Sequence, residues 1–383
     1  MIEEILTNYN IPGQLISIKK CNTGNINTTF IIEYDNNGNR QRYLIQKINT
    51  NIFKNPNVLM NNIYNVTKYL KTKMILDKDT EHKVLELLKT KNGNLLCKVI
   101  NSENKEEYYR IYNYIENSIS YNDSFDNRIV YNTGKAFGNF NRLLDDYPIE
   151  TLEEIIKDFH DTKKRYKNFL KDIMSNKGKR VGEVYTDIFE IIKRKKLCDV
   201  ITKELKNGSI PYRVTHNDTK INNVMINKTT GDYLAVIDLD TVMPGSLLFD
   251  YGDGIRSTAS SVSEEETDLE KVKIDMERFK YYTEGYMSEM AEYITENEVK
   301  LMGESIIVIT LELAMRFLND YINGDEYFKI EYEHQNLYRA RNQIELVKDI
   351  EKNMKEIKNY IDYCYKKYKN KENKEYVLKK VTK

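Results

Sequence analysis

Tryptophan is absent from this chain of 383 residues, and proline, cysteine and histidine are scarce, at five, four and four. The four cysteines (Cys21, Cys97, Cys198, Cys364) stand far apart with no C-x-x-C pair, which argues against a disulfide framework and for a reducing, cytoplasmic setting. His82, His160, His216 and His334 are equally dispersed, so a His/Cys zinc site is not expected. Charge of one sign is missing too: 59 Lys and Arg balance 59 Asp and Glu, leaving no overall basic field for nucleic acid. No stretch approaches the roughly 20 apolar residues of a membrane helix, and the run from Ile306 to Leu313 is interrupted by Thr310 and Glu312. The first residues, Met1-Ile2-Glu3-Glu4-Ile5-Leu6, lack the apolar core of a signal peptide. The missing tryptophan accompanies abundant Asn, Lys, Ile and Tyr, a bias of the kind an AT-rich genome imposes, so Tyr and Asn counts carry little functional weight.

What is present divides the chain in two. Up to about residue 111 the pattern is strand-rich, with β-branched or aromatic runs at 17–20, 28–34, 42–48, 95–100 and 108–112. Asp35-Asn36-Asn37-Gly38-Asn39 has a hairpin-turn composition. Val58, Ile63, Val66 and Leu70 recur at close to helical spacing, predicting one helix among the strands over 57–73. Beyond about residue 125 the periodicity turns helical, with predicted helices over 130–145, 152–171 and 186–205 and across 269–359. Short strands at 213–215, 224–226 and 233–237 interrupt that pattern. An α+β chain of two lobes is the expectation. The Lys-rich end, 365–383, reads as a solvated helix end or tail.

The interrupting strands flank the segment richest in chemistry. His216-Asn217-Asp218-Thr219-Lys220-Ile221-Asn222-Asn223 is followed fifteen residues later by Asp238-Leu239-Asp240. Phosphoryl transfer to a hydroxyl needs a carboxylate to orient the hydroxyl and accept its proton, a cation near the moving phosphoryl group, and oxygen ligands for a metal. Asp218 supplies the first, Lys220 the second, Asn223 and Asp238 the third. Asp240 falls on the same side as Asp238 if the strand persists, as a second ligand or a supporting partner, and His216 fits a role in supporting the loop. On the nucleotide side, Gly24, Asn25, Asn27 and Thr28 lie in a between-strand loop able to cover phosphates with backbone N–H groups, although it is not a G-x-G-x-x-G. Lys47 is placed like the strand lysine that meets nucleotide phosphates in kinases, but its usual helix Glu partner is missing, with Asn61 and Asn62 in that stretch.

Across 215–256, and again in Arg316-Phe317-Leu318-Asn319-Asp320-Tyr321, His334-Gln335-Asn336-Leu337, Gly24-Asn25-Ile26-Asn27-Thr28-Thr29-Phe30 and Leu44-Ile45-Gln46-Lys47-Ile48-Asn49, the chain resembles the aminoglycoside phosphotransferase superfamily, and within it the N-acetylhexosamine 1-kinases. The resemblance implies a two-lobed, protein-kinase-like fold: N-lobe 1–111, hinge 112–118, helical C-lobe 119–383. It implies ATP in the cleft with Tyr112 and Tyr114 near adenine, Mg2+, and an N-acetylglucosamine or N-acetylgalactosamine acceptor phosphorylated at its anomeric hydroxyl in amino-sugar salvage. Asp253, Arg256, Arg316, His160 and Tyr327 are the sugar-pocket residues it suggests. The expected partners are nucleotide and sugar, with no nucleic acid or membrane, and the expected state is a monomer. The catalytic loop alone leaves other acceptors open, namely another sugar, a choline-like amine, homoserine or an aminoglycoside; a nucleotide-binding pseudokinase is the remaining alternative, and the intact Asp218, Lys220, Asn223 and Asp238 argue against it.

Overall fold

Asn37 and Gly38 both adopt positive φ, 54° and 84°, the requirement of a two-residue hairpin turn whose twist matches that of its strands. The computed structural model, which describes residues 2–21, 26–123 and 126–369, builds the first lobe around that hairpin. Helix α1 (Ile2–Leu6) precedes β1 (Gln14–Lys20), β2 (Thr28–Asn36) and β3 (Asn39–Lys47); α2 (Pro56–Leu76) then leads to β4 (Leu87–Leu88), β5 (Cys97–Ile100) and β6 (Glu106–Asn113). The antiparallel sheet runs β1-β2-β3-β6-β4, with β5 also on β6. Strand alternation gives it two faces. Ile32, Tyr43, Ile45, Tyr109 and Ile111 pack with Ile5 and Leu6 of α1 on the outer face. Leu44, Ile48 and Tyr112 pack with Leu59, Met60, Ile63 and Val66 of α2 on the inner face. Helix α2 starts where the sequence signals it, with Asn55 capping the Val58 N–H and Pro56 at the first position.

The second lobe comprises β7 (Ser118–Ile119), α3 (Asn127–Leu143), α4 (Thr162–Ser175), α5 (Tyr185–Ile192), α6 (Val200–Lys206), β8 (Arg213–Thr215), β9 (Val224–Asn227), β10 (Tyr233–Val236), β11 (Met243–Gly245), α7 (Leu247–Thr258), α8 (Met276–Met290), α9 (Glu296–Asn323) and α10 (Gln335–Lys369). Tyr112 and Asn113 still belong to β6, and Ser118 already pairs with β9, so residues 114–117 join the lobes. Two expected helices differ. Residues 152–161 are largely irregular, and helix begins only after Asp161 caps the Lys164 N–H. The 186–205 stretch breaks into α5 and α6 at Arg194, whose guanidinium binds the Glu190 carbonyl and carboxylate and Glu351 of α10. The final helical third divides at a Thr295/Glu298 capping box and at Gly324, left-handed at φ 103°. No helix among the described residues is long and apolar enough to cross a membrane.

Helices α3 and α8 cross closely. A Cβ on Gly134 would stand 2.1 Å from the Tyr282 carbonyl oxygen, and one on Gly285 would stand 2.1 Å from that of Tyr131. The approach lets Phe137 and Phe140 of α3 lie edge-on to the His216 ring at 5.4 and 5.7 Å, so this packing positions the chemical segment.

Candidate active site

Strands β8 and β11 pair antiparallel with Thr215 opposite Met243, which brings the two halves of the chemical motif side by side. The loop after β8 is then held from below by α7. Asp250, 1% exposed in the first turn of α7, accepts from the His216 N–H (2.9 Å), the Asn217 N–H (2.8 Å) and Asn141 Nδ2 (3.1 Å). Thr219 donates to the Asp250 carbonyl at 2.6 Å, and its N–H donates to Asp253 Oδ2 at 3.0 Å. His216 is fully buried; its Nε2 donates to the Ile237 carbonyl (2.9 Å), and its Nδ1 accepts from the Asp218 N–H (3.3 Å). That pairing makes the ring a strut between the loop and the segment leading to Asp238. Asn217 and Asp238 both hold left-handed backbones, φ 64° and 59°, which Asn and Asp tolerate better than other non-glycine residues.

This frame presents Asp218, half-buried, to the cleft. Lys220 Nζ lies 3.0 Å from its Oδ1, and Asn223 Nδ2 donates to its Oδ2 at 3.0 Å and to its carbonyl at 2.8 Å. Burial pushes the Asp218 carboxyl up, but Lys220, His216 and the Asn223 amide outweigh it and hold its pKa below the ordinary value. Asp218 in turn raises that of Lys220. The pair is therefore ionised, a carboxylate able to orient a hydroxyl beside a cation able to meet a phosphoryl group.

Asp238 follows β10 after Ile237, exposed in the cleft. Burial of its surroundings, then Asp240 and Asp218, push its carboxyl up to about 7, and it has no hydrogen-bond partner among the described residues. Asn223 spends its amide nitrogen on Asp218, which leaves its carbonyl oxygen. One crowded carboxylate and one amide oxygen, together with nucleotide phosphates, form the hard donor set that a divalent cation of the Mg2+ type prefers.

Asp240 differs from its expected placement. The strand ends at Val236, and Leu239–Thr241 is a 3-10 turn, so Asp240 does not continue Asp238's strand face. Its carboxylate, 4% exposed, is gripped by Arg110 Nη1 at 2.5 Å and Nη2 at 2.9 Å, and Asn27 Nδ2 donates to it at 2.5 Å. Lys47 requires a correction. It shares the outer face with Tyr43 and Ile45 and binds Glu107 at 2.6 Å, because odd-numbered side chains of β3 point away from the cleft. Gln46 takes the inner face instead, accepting from Arg110 directly opposite on β6.

Of the other nucleotide-side residues, Gly24 and Asn25 lie outside the described residues, and Thr28 opens β2 opposite Lys47. Tyr112 is buried on the inner face, and Tyr114 in the interlobe link lies under the Arg42 guanidinium at 4.1 Å. The sugar-side residues fall into two groups. Asp253 and Arg256 pair at 2.8 Å within α7, behind Lys220. His160, Arg165 and Thr162 converge on Glu312 of α9 at 3.0–3.1 Å, and His160 and Arg165 hold that buried carboxyl near pKa 2 against its burial. Arg316 adjoins them, stacked near Phe328 at 5.3 Å and Tyr327 at 6.0 Å. Sequence reasoning assigned no role to Asp250, Arg110 or Glu312. A lone acidic residue in a helix or Arg in a strand gives no local signal; each acquires its role from a partner at least 31 residues away.

Residues 17–280, well over half of the chain, match the phosphotransferase enzyme family. The whole fold is similar to solved structures of a microcompartment-associated aminopropanol kinase (12% identity, TM-score 0.61, 93% of this chain and 97% of that one covered). It is also similar to an amicoumacin kinase in complex with AMP-PNP, Ca2+ and Ami (12%, 0.58, 90% and 92%) and to choline kinase from Cryptosporidium parvum (13%, 0.53, 93% and 96%). The antiparallel first lobe and helical second lobe thus have the kinase-like architecture that the sequence led us to expect, and the chain belongs to the phosphotransferase enzyme family.

Proposed function

We propose that this phosphotransferase moves the γ-phosphoryl group of ATP to the anomeric hydroxyl of N-acetylglucosamine or N-acetylgalactosamine, giving the sugar 1-phosphate. The observation that carries the transfer is the ionised Asp218–Lys220 pair beside Asn223 and the carboxylate of Asp238, which has no hydrogen-bond partner among the described residues. Asp218 orients the acceptor hydroxyl and takes its proton on a carboxylate oxygen as the bond to phosphorus forms. Lys220 offsets charge on the phosphoryl oxygens. Asn223 and Asp238 would hold Mg2+, which when bound neutralises the nucleotide phosphates. The acceptor assignment rests on the extended sequence resemblance. It is supported by Arg316, the nominated C-lobe cation stacked near Phe328 and Tyr327, which suits a neutral polyol better than a cationic choline-like amine.

The test is a screen with γ-labelled ATP and Mg2+ against N-acetylglucosamine, N-acetylgalactosamine, choline, ethanolamine, homoserine and an aminoglycoside, with products identified by phosphorus NMR. Phosphorylation of an amino sugar at C1 is expected, and Asp218→Asn should lower kcat by about a hundredfold or more. Labelling of another alcohol with neither amino sugar overturns the acceptor assignment. Unchanged turnover in Asp218→Asn overturns the base.

A further inference from the structure

The inner face of the first lobe carries a cation in an unexpected place. Lys47 is turned outward onto Glu107. Arg110, 1% exposed on β6, reaches inward instead. Its Nε and Nη2 donate to Gln46 Oε1 at 3.0 and 2.8 Å, and its Nη1 and Nη2 grip both oxygens of Asp240 at 2.5 and 2.9 Å. Gln46 passes the chain on to Thr29 Oγ1 at 3.0 Å. Asp240 also receives Asn27 Nδ2, while Asn27 Oδ1 accepts the Asn49 N–H at 3.0 Å. One guanidinium therefore ties β3, the start of β2 and the segment after Asp238 to a single point across the lobe boundary. A planar bidentate fork does this, whereas an ammonium could not hold both oxygens in one orientation.

We propose that Arg110 is a positioning residue for phosphoryl transfer, serving in place of an inward strand lysine: by fixing Asp240 it sets Asp238 and the phosphate-side segment at Asn27 in register with each other. Asp240 is thereby committed to Arg110 and Asn27, and Asp238 is the carboxylate left to the metal. The inference rests on the kinase reading of Asp238, but not on the identity of the acceptor.

Steady-state kinetics of the full chain with its best acceptor test it. Arg110→Lys and Asp240→Asn should each raise KM for ATP·Mg and the Mg2+ concentration for half-activation by tenfold or more, with acceptor KM within twofold. Lys47→Met should change each constant less than twofold. The double variant Arg110→Gln/Asp240→Asn should be no worse than the worse single variant, because both act through one pair. This double variant removes both buried charges, and so it decides the matter if a single variant does not fold: folded with a tenfold loss supports the proposal, and folded with wild-type constants overturns it. Arg110→Lys folded with nucleotide and Mg2+ constants within twofold also overturns it, as does a tenfold loss in Lys47→Met. If the wild-type chain transfers to none of the acceptors, the function reading fails separately. Arg110 is then read by calorimetric binding of ADP with Mg2+, where tenfold weakening in Arg110→Lys upholds the proposal and unchanged affinity overturns it.

Discussion

Asp238 combines a left-handed backbone with a carboxylate that burial, Asp240 and Asp218 push up to about 7. Its folded pKa thus lies above the value of about 3.9 expected in the unfolded chain. The folded state binds this proton more tightly, so the group favours folding below about pH 4, and that contribution fades as pH rises through about 7. At pH 8 the ionised carboxylate is a net liability that an amide relieves, moderated by the solvent in the cleft. Asp238→Asn should therefore raise stability at pH 8 by about 1 kcal/mol while abolishing transfer. The gain should shrink toward pH 5, and urea melts at the two pH values read it directly. A variant less stable than wild type at pH 8 would mean that the carboxylate has a partner supporting the fold. Asp218 is the opposite case: its neighbours hold it ionised, and it was legible because Lys220, His216 and Asn223, which outweigh its burial, all lie within five residues in sequence.

Elements were legible where one face of a helix or strand meets one layer. The hairpin of β2 and β3, the capped start of α2 and the apolar stripe of α3 all follow from local pattern. Residues 152–161 and the break at Arg194 did not, because helical periodicity continues through them while contacts with α10 and other distant segments determine the backbone. The α3–α8 crossing has the same character. Gly134 in a helix costs stability locally, yet only glycine admits the Tyr282 carbonyl. Gly134→Ala should cost about 2 kcal/mol or more despite its better helix propensity. It should also lower kcat through displacement of Phe137 from His216, which denaturant melts and turnover on the same sample would show. A stabilised variant would mean that the helices separate freely.

At the scale of the molecule, the lobes are joined by more than residues 114–117. Asn62 of α2, 2% exposed, donates to the carbonyls of Glu153 (2.8 Å) and Val242 (3.1 Å) and accepts the Glu153 N–H (3.2 Å). The apolar layer around it runs from α2 into Leu143, Val214, Leu239 and Val242 of the second lobe. Asn62→Leu strands two carbonyls and an N–H, and should destabilise the whole chain by about 2–4 kcal/mol in one cooperative transition. Loss of cooperativity, with the lobes unfolding separately, would show instead that α2 docks independently.

The sequence alone determined that Asp218, Lys220 and Asn223 share one short segment, and its hydrophobic alternation separated strands from helices. Which face of the first lobe carries its cation was decided only by tertiary structure. Lys47 is in the expected strand, but period-2 geometry turns it outward. Arg110, unremarked in the sequence, meets Asp240 across 130 residues, a pairing that strand order and interlobe packing create and that no local pattern encodes.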